Sequence, residues 1–294
     1  MMKPKTMLIL ISGLLAVSFA AIFIRLSSAP PLIISFYRMF FSTLIIFSYA
    51  SYRGHVGAEL SKLTRKDFFL LVISGLFLSI HFAFWVTSLS HTSVASSVVL
   101  VTTQPLFIVL IESTFLGKKP SKRFVFGIAV AAIGSFLIGY GDFLGTEFGL
   151  IGDVYALLGA IMAAGYFLIG GEVRQRIKIL PYILIVYGFS SVFLFIFCLV
   201  AGLPLIDYSP YNYSLFLLLA IIPTLIGHTS FNWLLSEVKA SMVGATILGE
   251  PIGSSLLAIV FFKEYPSYWV IAGGSFVLLS LYFLWRQELF AELG

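Results

Sequence analysis

Two prolines inside long apolar stretches each follow a polar residue, and these pairs are the strongest candidates for chemistry in the sequence. Glu250 precedes Pro251, and Gln104 precedes Pro105. Because proline lacks an amide hydrogen and its ring clashes with the preceding turn, each pair predicts a break in a helix. A carboxylate at such a break can bind an ammonium group or carry a proton, and the Gln104 amide supplies an uncharged donor and acceptor. The alternative is that Glu250 is protonated, or bonded to freed backbone, and serves packing alone.

Two further pairs of polar and aromatic residues recur with helical spacing. His81 and Trp85 are four residues apart, as are His228 and Asn232, so each pair lies on one face of its predicted helix. Histidine titrates near neutral pH and could couple substrate movement to protons, whereas Trp85 can stack on an aromatic or cationic ligand. The alternative interpretation is that the histidines only bridge neighbouring helices.

Arg38 lies several residues inside a predicted apolar helix. Its guanidinium keeps its charge, so it must reach the membrane interface, pair with an acid or face a wet cavity. Tyr37 lies beside it in an aromatic segment that resembles the one around Tyr187. Together these patterns predict a substrate-binding site that comprises Tyr37, Arg38, His81, Trp85, Gln104, His228, Asn232 and Glu250, with helix breaks at Pro105 and Pro251.

The composition indicates whether the elements that carry these residues lie in water or in a lipid bilayer. The chain of 294 residues is 60% hydrophobic and 11% charged, whereas a soluble domain is about 45–50% apolar and about 25% charged. Its mean hydropathy is +1.04, and apolar runs near the length that a helix needs to cross the hydrocarbon core recur throughout. The runs do not alternate in polarity as barrel strands do. The sequence therefore predicts an all-α integral membrane protein, with the lipid bilayer as its surroundings.

Proline, glycine and charge clusters divide the apolar sequence into ten predicted spans. They lie at about 7–26, 32–52, 67–88, 94–116, 122–140, 150–170, 180–202, 213–235, 241–262 and 267–286. Most of the 18 basic residues fall in connectors on one side, which the positive-inside rule assigns to the cytoplasm. We therefore expect a multi-pass protein of the cytoplasmic membrane with both termini in the cytoplasm. Nucleic acid is not an expected partner, because the basic residues form no patch.

The second half of the sequence repeats the first. The segment from Phe69 to Trp85 aligns with that from Phe216 to Asn232, matching His81 to His228, and a shift of one residue then matches Pro105 to Pro251. This predicts two five-helix repeats, at 1–141 and 149–288. Because five is odd, the second repeat enters the membrane from the opposite side, which makes the repeats inverted. Inverted repeats favour a carrier, since exchanging the conformations of the halves moves the opening across the membrane.

Three segments resemble the drug/metabolite transporter superfamily, specifically its ten-helix members built from two EamA domains. They run from Phe23 to Arg38, from Thr92 to Ser121 and from Lys239 to Ser267. The resemblance implies carriers that export amino acids, metabolites or toxic compounds, as well as some importers. This sequence departs from the pattern in two places of the first repeat, where Lys118 stands opposite Glu264 and Gln104 stands where the second repeat has its acid.

We therefore predict a secondary transporter that moves a small organic metabolite, such as an amino acid, by alternating access, with export as the expected direction. Proton coupling and a monomeric or homodimeric state are compatible with the sequence. A membrane channel is the main alternative, although it would need rings of selectivity groups. An intramembrane enzyme is the weaker one, because the sequence contains no H-E-x-x-H motif and no Cys/His cluster. No cofactor and no metal site are predicted.

Overall fold

The computed structural model describes residues 4–54, 56–115, 117, 122–145, 147–238, 240, 243–244 and 247–293, and within these ranges every regular element is helical. The first half contains α1 (Pro4–Ser18), α2 (Ala20–Leu26), α3 (Pro31–Arg53), α4 (Val56–Leu60), α5 (Arg65–Ser88), α6 (Val94–Val101), α7 (Gln104–Phe115) and α8 (Lys122–Gly145). The second half contains α9 (Glu147–Val173), α10 (Ile179–Val200), α11 (Pro210–Leu219), a π-helix (Ala220–His228), α12 (Thr229–Leu234), a 3-10 turn (Ile247–Gly249), α13 (Glu250–Phe262) and α14 (Tyr268–Leu293).

Seven helical segments among the described residues are long and apolar enough to cross a membrane. They are Thr6–Leu26, Pro31–Arg53, Arg65–Ser88, Val94–Phe115, Gly149–Val173, Ile179–Val200 and Pro210–Leu234. Three shorter apolar helices, Ala129–Gly141, Glu250–Phe262 and Tyr268–Ser280, lie where the remaining spans are expected. The all-helical, multi-pass architecture is as predicted, while the number of ten spans stays a prediction.

Two helices are interrupted directly before the polar residue and proline pairs. A turn at Thr102 and Thr103 separates α6 from α7, which begins at Gln104. The 3-10 turn Ile247–Gly249 precedes α13, which begins at Glu250 and has its proline in the first helical turn. Each proline thus occupies a position where its missing amide hydrogen costs the helix no internal hydrogen bond. The interruption places one polar side chain at the start of each new helix.

The π-helix forms around Pro223, which lies inside it. The Thr224 hydroxyl donates to the carbonyl of Leu219 at 2.8 Å, and the Thr229 hydroxyl donates to that of Thr224 at 3.3 Å, so both bonds span five residues. These side chains satisfy carbonyls that the altered backbone register leaves available. The segment ends at His228, and its geometry sets the direction of that histidine.

Corresponding helices of the two halves make corresponding packing contacts. Helix α5 packs along α9, and in the equivalent contact the π-helix and α12 pack along α1. The pairs α3 with α10 and α8 with α14 each join corresponding helices of the two halves. Glycines make the last contact close, because a Cβ on Gly134 would lie 2.5 Å from the Gly273 carbonyl oxygen.

Polar contacts join alternate connectors at opposite ends of the bundle. At one end, which we call the Arg176 end, Arg176 pairs with Asp67 at 2.7 Å and Lys178 pairs with Glu59 at 2.5 Å. At the other, which we call the Glu264 end, Glu264 pairs with Arg25 at 2.9 Å. Two of the connectors predicted to be cytoplasmic therefore share one end, the Arg176 end.

Candidate functional site

A small cavity of about 30 Å³ lies between the two halves of the chain, at the level of the two helix interruptions. Five of the predicted site residues line it, namely His81, Trp85, Gln104, His228 and Glu250. The remaining wall is formed by Val17, Val101, Thr102, Ala163, Tyr166, Phe167, Phe231 and Ile247. We call this space the central cavity. Its volume is enough for a few water molecules.

Glu250 and Gln104 enter the central cavity from corresponding positions of the two halves. Each is the first residue of a helix that follows an interruption, and their exposures are 8% and 5%. The broken helices also touch each other, since a Cβ on Gly244 would lie 2.9 Å from the ring of Pro105. In each half, a helix interruption therefore directs one polar group into the cavity, a carboxylate from Glu250 and a carboxamide from Gln104.

His81 and Trp85 form one aromatic wall of the central cavity. Their rings stack with centroids 6.0 Å apart and an interplanar angle of 9°. His81 Nδ1 lies 2.9 Å from the carbonyl oxygen of Gly159, so Nδ1 carries the hydrogen and the other ring nitrogen is left for a further partner. Trp85 Nε1 is buried and has no hydrogen-bond partner. This wall offers unused hydrogen-bonding capacity to a molecule in the cavity.

His228 faces that wall from the end of the π-helix. Its ring centroid lies 6.4 Å from the His81 ring and 5.3 Å from the Phe82 ring. Its Nδ1 is buried without a hydrogen-bond partner. Unpaired nitrogens therefore lie on both sides of the central cavity, at Trp85 and at His228.

Asn232 does not line the central cavity but supports a residue that does. Its side chain is fully buried, its oxygen accepts from the Tyr166 hydroxyl and its nitrogen donates to the Tyr187 hydroxyl at 3.0 Å. Tyr187 also contacts the Thr229 hydroxyl at 3.3 Å. Asn232 therefore holds the cavity residue Tyr166 in place, rather than meeting a ligand in this conformation.

Arg38 lies one layer behind the central cavity. Its Nε donates to the Thr224 hydroxyl at 2.6 Å, and its Cζ lies 4.1 Å from the centroid of the Phe82 ring. The side chain is fully buried, so of the alternatives drawn from the sequence it does not extend to the membrane interface. Its two terminal nitrogens have no hydrogen-bond partner.

Tyr37 lies away from the other predicted site residues. Its hydroxyl donates to the Leu205 carbonyl at 2.6 Å, and its ring stacks on Phe216 with centroids 5.0 Å apart. These contacts belong to an aromatic cluster with Tyr213 near the connector 201–209. In contrast, its counterpart Tyr187 bonds to Asn232, which also bonds to the cavity residue Tyr166. Tyr37 therefore does not line the central cavity, because successive helical residues point in different directions.

Sequence reasoning missed several residues that shape the site. Tyr166 and Thr102 line the central cavity, and Thr224 holds the Arg38 side chain. Tyr166 follows Ala163, Ala164 and Gly165 in an apolar helix, and Thr224 follows Pro223 directly. The proline inside an apolar span was the available signal for the last of these, since it predicts a local departure from α-helical geometry.

A second, larger cavity of about 770 Å³ lies at the Arg176 end of the bundle. It is lined by Phe77, Ile111, Glu112, Phe115, Ile161, Gly165, Leu168, Ile169, Gly171, Glu172, Gln175, Glu237, Val238 and Ala240. We call it the wide cavity. Phe77 is one helical turn from His81 on α5, and Gly165 directly precedes Tyr166 on α9, so the two cavities are neighbours. Within the described residues, no group of three or more His, Cys, Asp or Glu is placed to hold a metal ion.

Comparisons with known proteins agree with this architecture. No curated protein matches the sequence. One crystal structure of a protein shares the fold, with a TM-score of 0.66, 17% identity, and coverage of 96% of this chain and 97% of the other. The sequence profile of the EamA-like transporter family matches residues 4–140 and 150–286, that is, once in each half. The chain therefore belongs to the EamA-like transporter family, a family of membrane transporters of small molecules.

Proposed function

We propose that this protein is a secondary transporter that binds a small organic metabolite in the central cavity and moves it by alternating access. The single observation that carries the proposal is the central cavity itself. It lies where the interrupted helices of both halves meet, and it is lined by Glu250, Gln104, His81, Trp85 and His228. Interrupted helices that meet between repeats are the usual construction of a carrier site, because they expose polar groups within the membrane.

The sizes of the two cavities support a carrier that is closed around its site in this conformation. About 30 Å³ has room for a few water molecules but not for a metabolite, so a metabolite enters only when the surrounding helices separate. The wide cavity, in contrast, is as large as a typical binding site for a small molecule and lies at one end of the bundle. We infer that Phe77 and the neighbouring backbone of α9 form the barrier that separates the wide cavity from the central one.

Further parts of the proposal follow the sequence analysis. The repeats at 1–141 and 149–288 are the moving units, and their inverted arrangement interconverts the two access states. Glu250 binds an amine or carries a coupled proton, Gln104 and Trp85 contact the substrate, and Asn232 positions Tyr166. We further propose that the protein exports its substrate from the cytoplasm, that both termini are cytoplasmic, and that one chain or a homodimer is the working unit.

Counterflow in proteoliposomes tests the function. A thermal-shift screen of amino acids and small metabolites first identifies a compound that stabilises the purified protein. That compound, present unlabelled on one side, must then accelerate the entry of its labelled form from the other. Flux that rises without saturation and shows no counterflow would indicate a channel and contradict the proposal.

Substitution Glu250→Gln tests the role of the carboxylate. Loss of a charge-assisted hydrogen bond of about 1.5–3 kcal/mol predicts a fall of about 10- to 150-fold in apparent affinity or rate. If Glu250 carries the coupled proton, the remaining activity also loses its dependence on pH. Glu59→Gln is the matched control, because Glu59 pairs with Lys178 at the Arg176 end and lines neither cavity. A Glu250→Gln variant with the parental rate at every pH would refute this role.

A further inference from the structure

Arg38 carries a buried positive charge whose terminal groups are unused. Only Nε is bonded, to Thr224, while the Phe82 ring covers one face of the guanidinium. Both terminal nitrogens are buried without a hydrogen-bond partner. Within the bilayer such a group is costly, and charged residues that persist there usually face a partner or a pathway. The structure thus contains a fixed, planar fork of donors for which the described part of the chain supplies no acceptor.

The guanidinium adjoins two residues of the central cavity wall. Its Cζ lies 5.9 Å from the centroid of the Trp85 ring, and Phe82, on which it stacks, contacts the His228 ring. Glu250 interacts with Arg38 electrostatically but does not bond to its terminal nitrogens. The charge therefore lies where a molecule in an expanded cavity would meet it once Trp85 or His228 moves aside.

We propose that Arg38 recognises the substrate through an anionic group, so that the transported molecule carries a carboxylate or another oxyanion. A guanidinium fork binds such a group through two parallel hydrogen bonds, and Nη1 and Nη2 are the atoms that would make them. Thr224 and Phe82 are positioning residues, since they fix the plane of the fork through Nε and the ring face. This inference rests on the proposed function, because it assumes that the central cavity takes the substrate.

Three compounds that differ only in their ionic groups test the inference. Leucine carries a carboxylate and an amine, 4-methylpentanoate carries the carboxylate alone and 3-methylbutylamine carries the amine alone. We expect the first two to raise the melting temperature of the purified parent protein, whereas any stabilisation by the amine acts through Glu250 and is the same in Arg38→Met. In Arg38→Met the stabilisation by both carboxylates should disappear, and in Arg38→Lys it should weaken at least about tenfold in apparent affinity, because a bidentate contact is lost.

A measurement without ligand keeps the inference testable if these compounds are poor fits. If Arg38 serves a substrate, the double variant Arg38→Met, Glu250→Gln should leave the empty protein equally stable or more stable, since it removes both buried charges together. A lower melting temperature of this double variant, or stabilisation of the parent by the amine but by neither carboxylate, would overturn the inference. If counterflow occurs in the parent and persists in Arg38→Met, the role of Arg38 is refuted. If the parent shows no counterflow, the proposed function is refuted.

A second inference rests on the charged contacts at the Glu264 end. Glu264 accepts from Arg25 at 2.9 Å and from the backbone amide of Val94 at 2.6 Å, at the start of α6. Arg25 also donates to the Leu89 carbonyl at 2.6 Å, at the end of α5. One carboxylate of the second half thus joins three elements of the first half. We call this set of contacts the Glu264 latch.

At the opposite end, Arg174 takes the place of Arg25 and donates to neutral groups. Arg174 follows the first long helix of the second half, as Arg25 ends that of the first half, and it donates to the Asn232 carbonyl at 3.0 Å and the Ser236 hydroxyl at 3.2 Å. The residue that aligns with Glu264 in the first half is Lys118, which lies outside the described residues. A lysine cannot accept a hydrogen bond from an arginine, so this sequence cannot build the same latch at the Arg176 end.

We infer that the Glu264 latch holds the Glu264 end closed and biases the empty protein towards opening at the Arg176 end. The wide cavity lies at the opposite end, where the Arg176–Asp67 and Lys178–Glu59 pairs also join the two halves but where none of their residues lines that cavity. A conformational equilibrium shifts by the free energy of contacts that exist in only one of its states, and the latch is such a set because it crosses between the halves at the Glu264 end. The inference rests on alternating access but not on the identity of the substrate.

Cysteine labelling from each side of the membrane tests the latch. Cys198, the one cysteine, is fully buried and can be replaced by serine, and Val101→Cys then places a thiol in the central cavity wall. A membrane-impermeant maleimide is applied to spheroplasts or to inverted vesicles. In the parent background we expect faster labelling from the Arg176 end. Glu264→Gln should raise labelling from the Glu264 end several-fold, and Arg25→Gln should do the same.

Lys263→Gln is the matched control, because it changes a charge on the same connector at an exposed residue outside the latch. Labelling from the Glu264 end should stay at the parental level in this variant. Unchanged labelling in both latch variants would overturn the inference, as would an equal rise in the Lys263→Gln control. If Glu264→Gln does not fold, Arg25→Gln decides the question alone, since it removes the same ion pair.

Discussion

Replacing Asn232 by leucine should both destabilise the protein and impair its site, because this buried amide holds two tyrosines. Its oxygen accepts from Tyr166 and its nitrogen donates to Tyr187 at 3.0 Å. A buried hydroxyl left without its partner costs about 1–3 kcal/mol. Tyr187 retains a contact with Thr229 at 3.3 Å, so its share of the loss is smaller. The expected decrease in the free energy of unfolding is therefore about 2–4 kcal/mol in total.

Thermal unfolding and counterflow together measure this prediction. For a chain of this size, the melting temperature falls by about 2 °C for each kcal/mol lost from the free energy of unfolding. That of Asn232→Leu should therefore fall by about 4–8 °C. Because Tyr166 lines the central cavity, the apparent KM for counterflow should rise as well. Asn212→Leu is the matched control. Asn212 is also buried and bonded through both side-chain atoms, yet its partners Ser27, Ser28 and Ser209 lie at the Glu264 end.

The comparison of the two asparagine variants separates the site from general stability. Both should melt at lower temperature, since both leave buried polar groups unpaired. Only Asn232→Leu should change the apparent KM. An unchanged melting temperature in Asn232→Leu would show that its hydrogen bonds contribute little. Equal changes in KM for both variants would show that transport responds to stability alone, and the reasoning about Tyr166 would be refuted.

Two further predictions concern the backbone that positions the site. Gly134→Ala should lower the free energy of unfolding by about 1–3 kcal/mol through overpacking, because its Cβ would lie 2.5 Å from the Gly273 carbonyl oxygen. Gly188→Ala, whose Cβ would find its nearest neighbour at 3.7 Å, should not lower it in the same melting assay. Pro223→Ala should restore an amide hydrogen and favour an α-helical register. It should reduce counterflow by redirecting His228 without lowering the melting temperature, and a parental rate would contradict this.

Much of the fold follows from the sequence because the bilayer imposes a simple rule on it. Helices must satisfy every backbone group internally, so the length of each apolar run predicts an element and its ends. The internal repeat could also be found in the sequence, because the match of Pro105 to Pro251 marks equivalent helix interruptions. The π-helix was not predicted. Its register depends on the hydroxyls of Thr224 and Thr229, and their bonds to carbonyls five residues earlier leave no periodic pattern.

The sequence predicted best which side chains come together where residue type and symmetry agreed. Gln104 and Glu250 align between the halves and line one cavity, as do His81 and His228. Tyr37 shows the limit of this reasoning. Its counterpart Tyr187 bonds to Asn232 whereas Tyr37 bonds to the Leu205 carbonyl, because pseudosymmetry relates backbones while individual side chains follow their own packing. A polar residue in an apolar run indicates a helical face, and tertiary contacts decide which faces converge.

Two departures from symmetry in the central region compensate each other in charge. Glu250 of the second half aligns with the neutral Gln104, and Arg38 of the first half aligns with the neutral Gly188. Each half therefore contributes one charge, of opposite sign, where the other half has none. A strictly symmetric site with two glutamates would place like charges beside a cavity of about 30 Å³, in a medium that screens them poorly. A repeat protein can thus keep the symmetric backbone that alternating access requires and still hold a nearly neutral site, because it distributes the two charges between its halves.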